Sequence, residues 1–419
     1  MIEEAPTELQ PLDDEPGEWW RLAAFIAGVV AVLGLAWAGG GWALAFVIVG
    51  LMTVIAGHEL GHYTVARASG MAVSDYFVGF GPVVWSTRRK GIRYGVRLIP
   101  VGGYVKVPGM TWTDKVDEAI EHRTYRVAST PRKVLFAAAG PLANLVMAFV
   151  VTWAALVLVG VPSSSHIGVA GLAKWNVASP ASRAGIAVGS RIVAVDGRTI
   201  TSVETLSSAI TASHGRPLTL TLSENGTTHV VHLRAVRGST RFTHGVPVGT
   251  SNQWFIGVEL KYQDARIGAV AGVGQTASDL WGVTTASTAG LYHVFSPAGL
   301  VSLVSQIGGK ASNSRPESVV GVARTAVQIS GAGLGIELLL LANVNIFVGL
   351  FNLLPILPLD GGYVAISLYE RLRSRRGARH HANLALMTPV IYAFLAVLAV
   401  VFLSTLILDL VHPLGNPLG

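Results

Sequence analysis

Long apolar runs separated by short polar connections set the pattern of this chain. Trp19–Ala38, Trp42–Val65, Val134–Val159, Leu338–Leu357 and Thr388–Leu410 are each near the ~20 residues that cross a hydrocarbon core as a helix, so five spans are predicted. Between the third and fourth lies the one long polar stretch, His166–Lys261. There the period shifts from helix to strand. Arg191–Val195 alternates and is followed by an Asp196-Gly197 turn, and Ser202–Ala212 reads as helix. Pro217–Leu222 and His229–Val236 alternate with period two around Asn225-Gly226, a strong hairpin signal. A second strand-like region, Tyr76–Val107, is apolar yet glycine-rich, with alternation over Tyr94–Ile99. Non-helical backbone at membrane depth is tolerated only where protein or a wet cavity covers it. This region is therefore expected to be a β-hairpin at the mouth of a site, the alternative being a hairpin on the cytoplasmic surface. Gln263–Gly335 has weak helical periodicity and reads as amphipathic helices near the outer membrane face.

The expected organisation is a disordered acidic tail over 1–18, an extra helix over 19–38, a first core half over 42–160, an inserted domain over 163–261, a linker region over 262–336 and a second core half over 337–411. Ala36-Trp37-Ala38 has the look of a signal-peptidase site. The leading region is acidic, with Arg21 its only basic residue, and the run is long for a signal. The span is thus expected to be retained, with Gly39-Gly40-Gly41 as the turn of a helical hairpin.

Composition adds two constraints. Charged residues make up 13% of the chain and hydrophobic residues 51%, against about 25% charged for an ordinary soluble domain, which calls for lipid. There are no cysteines, so disulfides, iron–sulfur clusters and Cys-based zinc sites are excluded and any metal must be held by His, Asp or Glu. The net charge of +7 does not gather into a nucleic-acid-binding module. Its basic residues flank the apolar runs: Arg88, Arg89, Lys90, Arg93, Arg97, Lys106, Arg132 and Lys133 after the second, and Arg371, Arg373, Arg375, Arg376 and Arg379 before the fifth. Five spans put both groups on one side, which the positive-inside rule makes cytoplasmic, and the 166–261 stretch outside. Trp19 and Trp20 fit an interfacial aromatic belt.

His58-Glu59-Leu60-Gly61-His62 is the sharpest chemical signal. On a helix, i and i+4 share a face, so both imidazoles can bind one Zn²⁺ with Glu59 beside the attacking water. Random placement of the chain's histidines and glutamates yields such a pattern about once in a hundred sequences of this composition. Ionisable residues inside a span are costly and point to function; the bland alternative is a helix end with satisfied polar groups. A catalytic zinc needs a third protein ligand and one open position. Asp360, in Asn352-Leu-Leu-Pro-Ile-Leu-Pro-Leu-Asp-Gly-Gly362, is the candidate, because two prolines and two glycines should break the helix there and offer the carboxylate to a wet cavity. Its alternative is a cap of the following helix. His229 and His232 are three apart on a predicted strand and face opposite ways; His380-His381 lies in an Arg-rich loop.

Together these motifs resemble the site-2 protease family of intramembrane zinc metalloproteases, peptidase M50, and within it the regulator-of-sigma-E protease branch of actinobacterial type. The quoted motifs are His58–His62, Gly140-Pro141-Leu142-Ala143-Asn144, Asn352–Gly362 and the Ser179–Gly197 stretch, which resembles a PDZ domain. The resemblance implies an α-helical polytopic membrane protein: a four-span protease core, here with one extra N-terminal span, a membrane-associated β-hairpin and an inserted extracytoplasmic PDZ-like α/β domain. It implies one zinc per chain held by His58, His62 and Asp360, with Glu59 as general base. Asn144 would steady the substrate or the hairpin, and Asn352 would face the peptide or the oxyanion. An edge around Gly102, Gly103, Tyr104 and Val105 would hold the unwound substrate by strand addition. The implied partners are membrane lipid and single-span substrates of the anti-sigma-factor kind, cut in regulated intramembrane proteolysis in the bacterial inner membrane. The extra span and the single PDZ-like unit depart from the family's common plan. A non-catalytic membrane scaffold and a zinc transporter are the rival functions; a scaffold has no need of Glu59, and a transporter would show several sites along a path.

Overall fold

A computed structural model describes residues 19–110, 114, 116–173, 178–224, 226–238, 241–243, 246–248, 253–309, 312, 315–374, 380–382 and 384–414. The expected tail, Asn225, Arg375, Arg376 and Arg379 lie outside the described residues. The chain divides into two compact units. One holds residues up to Thr152, Gly274–Gly331 and Glu337 onward; the other holds Trp153–Val273 and Ala332–Ile336.

The first unit opens with α1, Trp19–Gly40, and α2, Trp42–Ala68. Gly41 alone joins them, at φ +67°, a left-handed conformation glycine adopts without a Cβ penalty. Along α2 the buried residues are Ala43, Val47, Gly50, Val54, His58, His62 and Ala66, a stripe with three- and four-residue spacing. Both histidines therefore face inward. Strands β1, Asp75–Arg89, and β2, Ile92–Lys106, follow as a long bent hairpin. Its outer halves pair antiparallel, with Trp85 opposite Val96 and Arg89 opposite Ile92. The start of β1 lies between two stretches of β2: Tyr76 is beside Tyr94 on one side and Val105 on the other, and Val78 is beside Val96 and Gly103. Positive φ at Gly79 (+90°) and Gly102 (+86°) permits the bends. Gly103–Lys106 has one registered neighbour among the described residues, so it forms an edge. A buried cluster including Ala66, Val105, Tyr125 and Phe136 fixes the hairpin against α2 and helix α3, Thr130–Ala154.

The second unit contains an antiparallel sheet. Its strands are β3 (Val161–Leu172), β4 (Arg191–Val195), β5 (Pro217–Glu224), β6 (Thr227–Arg234) and β7 (Val258–Ala265), in the order β7-β3-β4-β5-β6, with the short strand Arg198–Thr199 paired to β4. Leu218, Leu220 and Leu222 point into the core with Ile167, Ile192 and Leu206, as period-two alternation requires. Helix α4, Val203–Ala212, starts at a capping box: Ser202 Oγ accepts from Thr205 N–H (3.2 Å), and Thr205 Oγ1 accepts from Ser202 N–H (2.9 Å). Strand β7 runs to Ala265, past the expected boundary at 261.

The 262–336 region departs most from expectation. Besides the shorter helices Pro297–Ser305 and Val319–Ile329 it holds a 27-residue helix, α5, Ala269–Phe295. Four interior glycines hide its periodicity in the sequence, but Leu280 and Val283 pack on a buried core of Ala148, Ala342 and Ile346, and tertiary packing overrides weak propensity. Helices α6 (Val319–Ile329), α7 (Leu334–Asn352), α8 (Asp360–Arg373) and α9 (Thr388–Val411) follow along the chain, α7 lying in the first unit from Glu337 onward. The fourth apolar helix ends at Asn352 and not at the expected Leu357, because Pro355 and Pro358 supply no N–H to continue it. Among the described residues five helices, Trp19–Ala38, Trp42–Ala68, Thr130–Val159, Leu334–Asn352 and Thr388–Val411, are long and apolar enough to cross a membrane. The chain is thus a polytopic membrane protein with a β-rich region.

Candidate metal centre

The inward stripe of α2 brings His58 and His62 together, with ring centroids 4.9 Å apart and Nε2 atoms 3.3 Å apart. Asp360, at the first position of α8, completes the group: its Oδ2 lies 3.1 Å from His58 Nε2 and 3.3 Å from His62 Nε2. The turn that returns the chain from α7 to this point needs the glycine pair after Asp360. A Cβ on Gly362 would sit 2.6 Å from Leu357 N.

The donor set suits zinc. Zinc–nitrogen and zinc–carboxylate bonds of about 2.0–2.1 Å in a tetrahedron separate neighbouring ligand atoms by about 3.3–3.4 Å, and the three separations here are 3.1–3.3 Å. Three protein ligands leave one position open, as catalytic zinc sites do. Among the described residues this is the one such cluster of three potential ligands.

The other ring nitrogens are held from α3. His62 Nδ1 donates to the Phe136 carbonyl at 2.8 Å, which leaves the Nε2 lone pair for metal. Asn144 is fully buried with its amide 3.3 Å from His58 Nδ1. With the amide turned so that Oδ1 faces the ring, Oδ1 accepts from Nδ1–H, and an oxygen otherwise buried without a partner is satisfied. Gly140 lies between these two supports, and a Cβ there would come within 2.6 Å of His58 Nε2. Asn144, expected beside the substrate or hairpin, is thus placed behind an imidazole: it is one helical turn beyond Gly140, on the face of α3 turned to the histidines.

A cavity of about 470 Å³ opens onto the cluster, lined by Glu59, His58, His62, Asp360, Asn352 and the Gly102–Val105 edge. Glu59 stands next to the triad: a Cβ on Gly103 would be 2.8 Å from its Cγ, and the Val105 backbone amide lies in hydrogen-bonding range of its carboxylate. Two larger clefts, of about 650 and 850 Å³, are lined without His, Asp or Glu. The arrangement combines three metal-binding atoms, a carboxylate outside the ligand cluster and a strand edge in one space. The roles of the Phe136 carbonyl and of Gly140 were not legible in the sequence; a glycine in mid-span, one turn before Asn144, is the only local hint.

Comparison with known proteins agrees with this chemistry. The model of peptidase family M50 matches residues 46–397. The zinc metalloprotease Rip1 of Mycobacterium tuberculosis is 30% identical over 400 residues, covering 87% of this chain and 96% of that protein. Rip1 of Mycolicibacterium smegmatis is 31% identical over 396 residues with the same coverage. A putative zinc metalloprotease of Clostridium acetobutylicum is 27% identical over 381 residues, covering 89% and 98%. The family match starts inside α2, so α1 lies outside it. A catalytically inert scaffold and a transporter both fall away against these relatives.

Proposed function

Because the chain belongs to peptidase family M50, the site-2 proteases, and is a membrane zinc metalloprotease, we propose that it hydrolyses peptide bonds within the transmembrane segments of single-span membrane proteins. His58, His62 and Asp360 are read as the zinc ligands and Glu59 as the general base. The convergence of these four side chains, three of them from within an apolar helix, on one cavity supports this most directly.

Zinc, when bound, supplies Lewis acidity toward water and the scissile carbonyl. The chain's own groups do the rest. Phe136 and Asn144 fix the tautomer and orientation of the two imidazoles. Glu59 takes a proton from the attacking water and returns it to the leaving amide nitrogen. Asn352, on the cavity wall, is suited to hydrogen-bond the peptide or the developing oxyanion. Backbone carbonyls of a helical substrate are already bonded, so the segment must unwind. The free edge at Gly102–Val105 would then hold it as an added strand.

In this reading the loops carrying Arg88–Arg97 and Arg371–Arg373 are cytoplasmic, and 163–261 is an extracytoplasmic PDZ-like domain that filters substrates by the size of their outer part. Anti-sigma factors already trimmed outside fit that filter. The test is incubation of detergent-purified protein with a panel of single-span fragments, the products being mapped by mass spectrometry. Cuts inside the apolar stretch that vanish with Glu59→Gln are expected. Cuts confined to soluble flanks, or persisting in that variant, would overturn the proposal.

A further inference from the structure

Two helix faces converge away from the reacting groups. On α8, Asp360, Tyr363, Ser367 and Glu370 are spaced i, i+3, i+7 and i+10 and so share a side. On α3, Lys133, Phe136, Gly140 and Asn144 share a side in the same way. The far ends of these faces meet: Lys133 Nζ donates to Glu370 Oε2 at 3.2 Å, with the two side chains only 8% and 12% exposed. Glu370 Oε1 also accepts from the Ala382 N–H at 3.0 Å. Tyr125 closes the junction: its hydroxyl lies 3.2 Å from Ser367 Oγ, and its ring sits 5.3 Å from Lys133 Nζ. Burial pushes the Tyr125 phenol up to about 12, so it stays protonated at physiological pH.

We propose that the Lys133–Glu370 ion pair is a positioning clamp for the metal centre, locking the far end of α8 to α3 so that Asp360 meets the histidines that the same face of α3 orients. This rests on reading His58, His62 and Asp360 as the zinc ligands. Glu370 lies ten residues from Asp360, about 15 Å along a rigid helix. A tilt of about 4° there moves the ligand by ~1 Å, against the ±0.2 Å that metal–ligand distances tolerate. Removing Lys133 leaves the buried Glu370 carboxylate without its ammonium, with the Ala382 N–H and, 3.9 Å away, His381 Nδ1 as its remaining partners, which drives such a movement toward water. The face of α3 that supports His62 through Phe136 and His58 through Asn144 would thereby also govern the third ligand, although Lys133 and Glu370 touch neither metal nor substrate.

The test is the zinc dissociation constant of the purified full chain, measured by competition with a chromogenic chelator and taken per folded molecule. Lys133→Met is expected to weaken zinc binding by about 10–100-fold, the usual effect of losing an outer support of a metal site. Lys133→Arg should stay near wild type. A folded Lys133→Met protein with wild-type affinity would overturn the clamp. If that variant does not fold, Glu370→Gln, which keeps the shape and the Ala382 contact, takes its place with the same two outcomes. His58→Ala, run in parallel, reports on the ligand reading itself: undiminished zinc there rejects that reading, whatever the clamp variants show.

Discussion

Gly140 has no side chain, and the two imidazoles occupy the space a side chain would need, with a Cβ falling 2.6 Å from His58 Nε2. Alanine is the better helix former by about 1 kcal/mol, so Gly140→Ala pits local propensity against the site. The expected result is a protein depleted of zinc whose metal-free form gains nothing from the better helix former, because the displaced rings cost more than the propensity returns, read by elemental analysis beside a thermal melt of the metal-free form. Zinc content equal to wild type would show that the rings can yield. Glu59 raises the opposite case, a side chain that can change without disturbing its neighbours. It is one residue, about 100° of helix, from His58 and outside the ligand cluster. Glu59→Gln keeps shape and removes the base, so zinc and substrate binding should persist while cleavage falls by at least ~10²–10⁴-fold. Loss of zinc in that variant would mark Glu59 as a ligand instead.

At the scale of the element, the proposed strand addition rests on the hairpin. Its Gly103–Lys106 edge has one strand neighbour, and its Val105 amide points toward Glu59. Proline is compatible with an edge because the N–H lost there belongs to no ladder. Val105→Pro should leave zinc content unchanged and raise KM for a single-span substrate by about threefold to tenfold, equivalent to one hydrogen bond of about 0.5–1.5 kcal/mol. An unchanged KM would remove strand addition at this edge from the mechanism. Charge is handled differently in the last span, where Asp409 is buried and paired: Arg315 Nη1 donates to its Oδ1 at 2.5 Å and the Ser318 N–H to its Oδ2 at 2.6 Å. A carboxylate within α9 is tolerated because every exposure to hydrocarbon has been replaced by a donor.

At the scale of the whole molecule, the proposed sidedness carries its own test. The chain has no cysteine, so a single introduced thiol reports cleanly. Ser208 lies on the exposed side of α4 in the second unit. Ser208→Cys should react with a membrane-impermeant maleimide on intact spheroplasts, whereas a cysteine at Arg371 should react only after the membrane is opened. The reverse pattern would invert the topology derived from the basic loops.

The five apolar helices and the strand alternation of Arg191–Arg234 were readable from the sequence because both follow from neighbours along the chain: run length against bilayer thickness, and period-two burial around a turn. His58 and His62 belong to the same class, since four residues of helix suffice to bring them onto one face. Asp360 could be picked out as ligand-type chemistry near two prolines and two glycines, but its approach to the histidines depends on the turn after Asn352 and on packing against α3. Asn144 meets the ring of His58, 86 residues away, a contact that its own surroundings in sequence do not specify, since they say only that it is a polar group in a span. The long helix α5 was hidden by glycines that packing against Ala148, Ala342 and Ile346 overrides. Lys133, in sequence one of the basic residues flanking the apolar runs, meets Glu370, 237 residues away, only because the fold buries the two together. Short-range periodicity and backbone chemistry were settled by the sequence; which distant groups meet was settled by the tertiary structure, because a buried contact is chosen by the surfaces that close around it and not by the residues beside it in the chain.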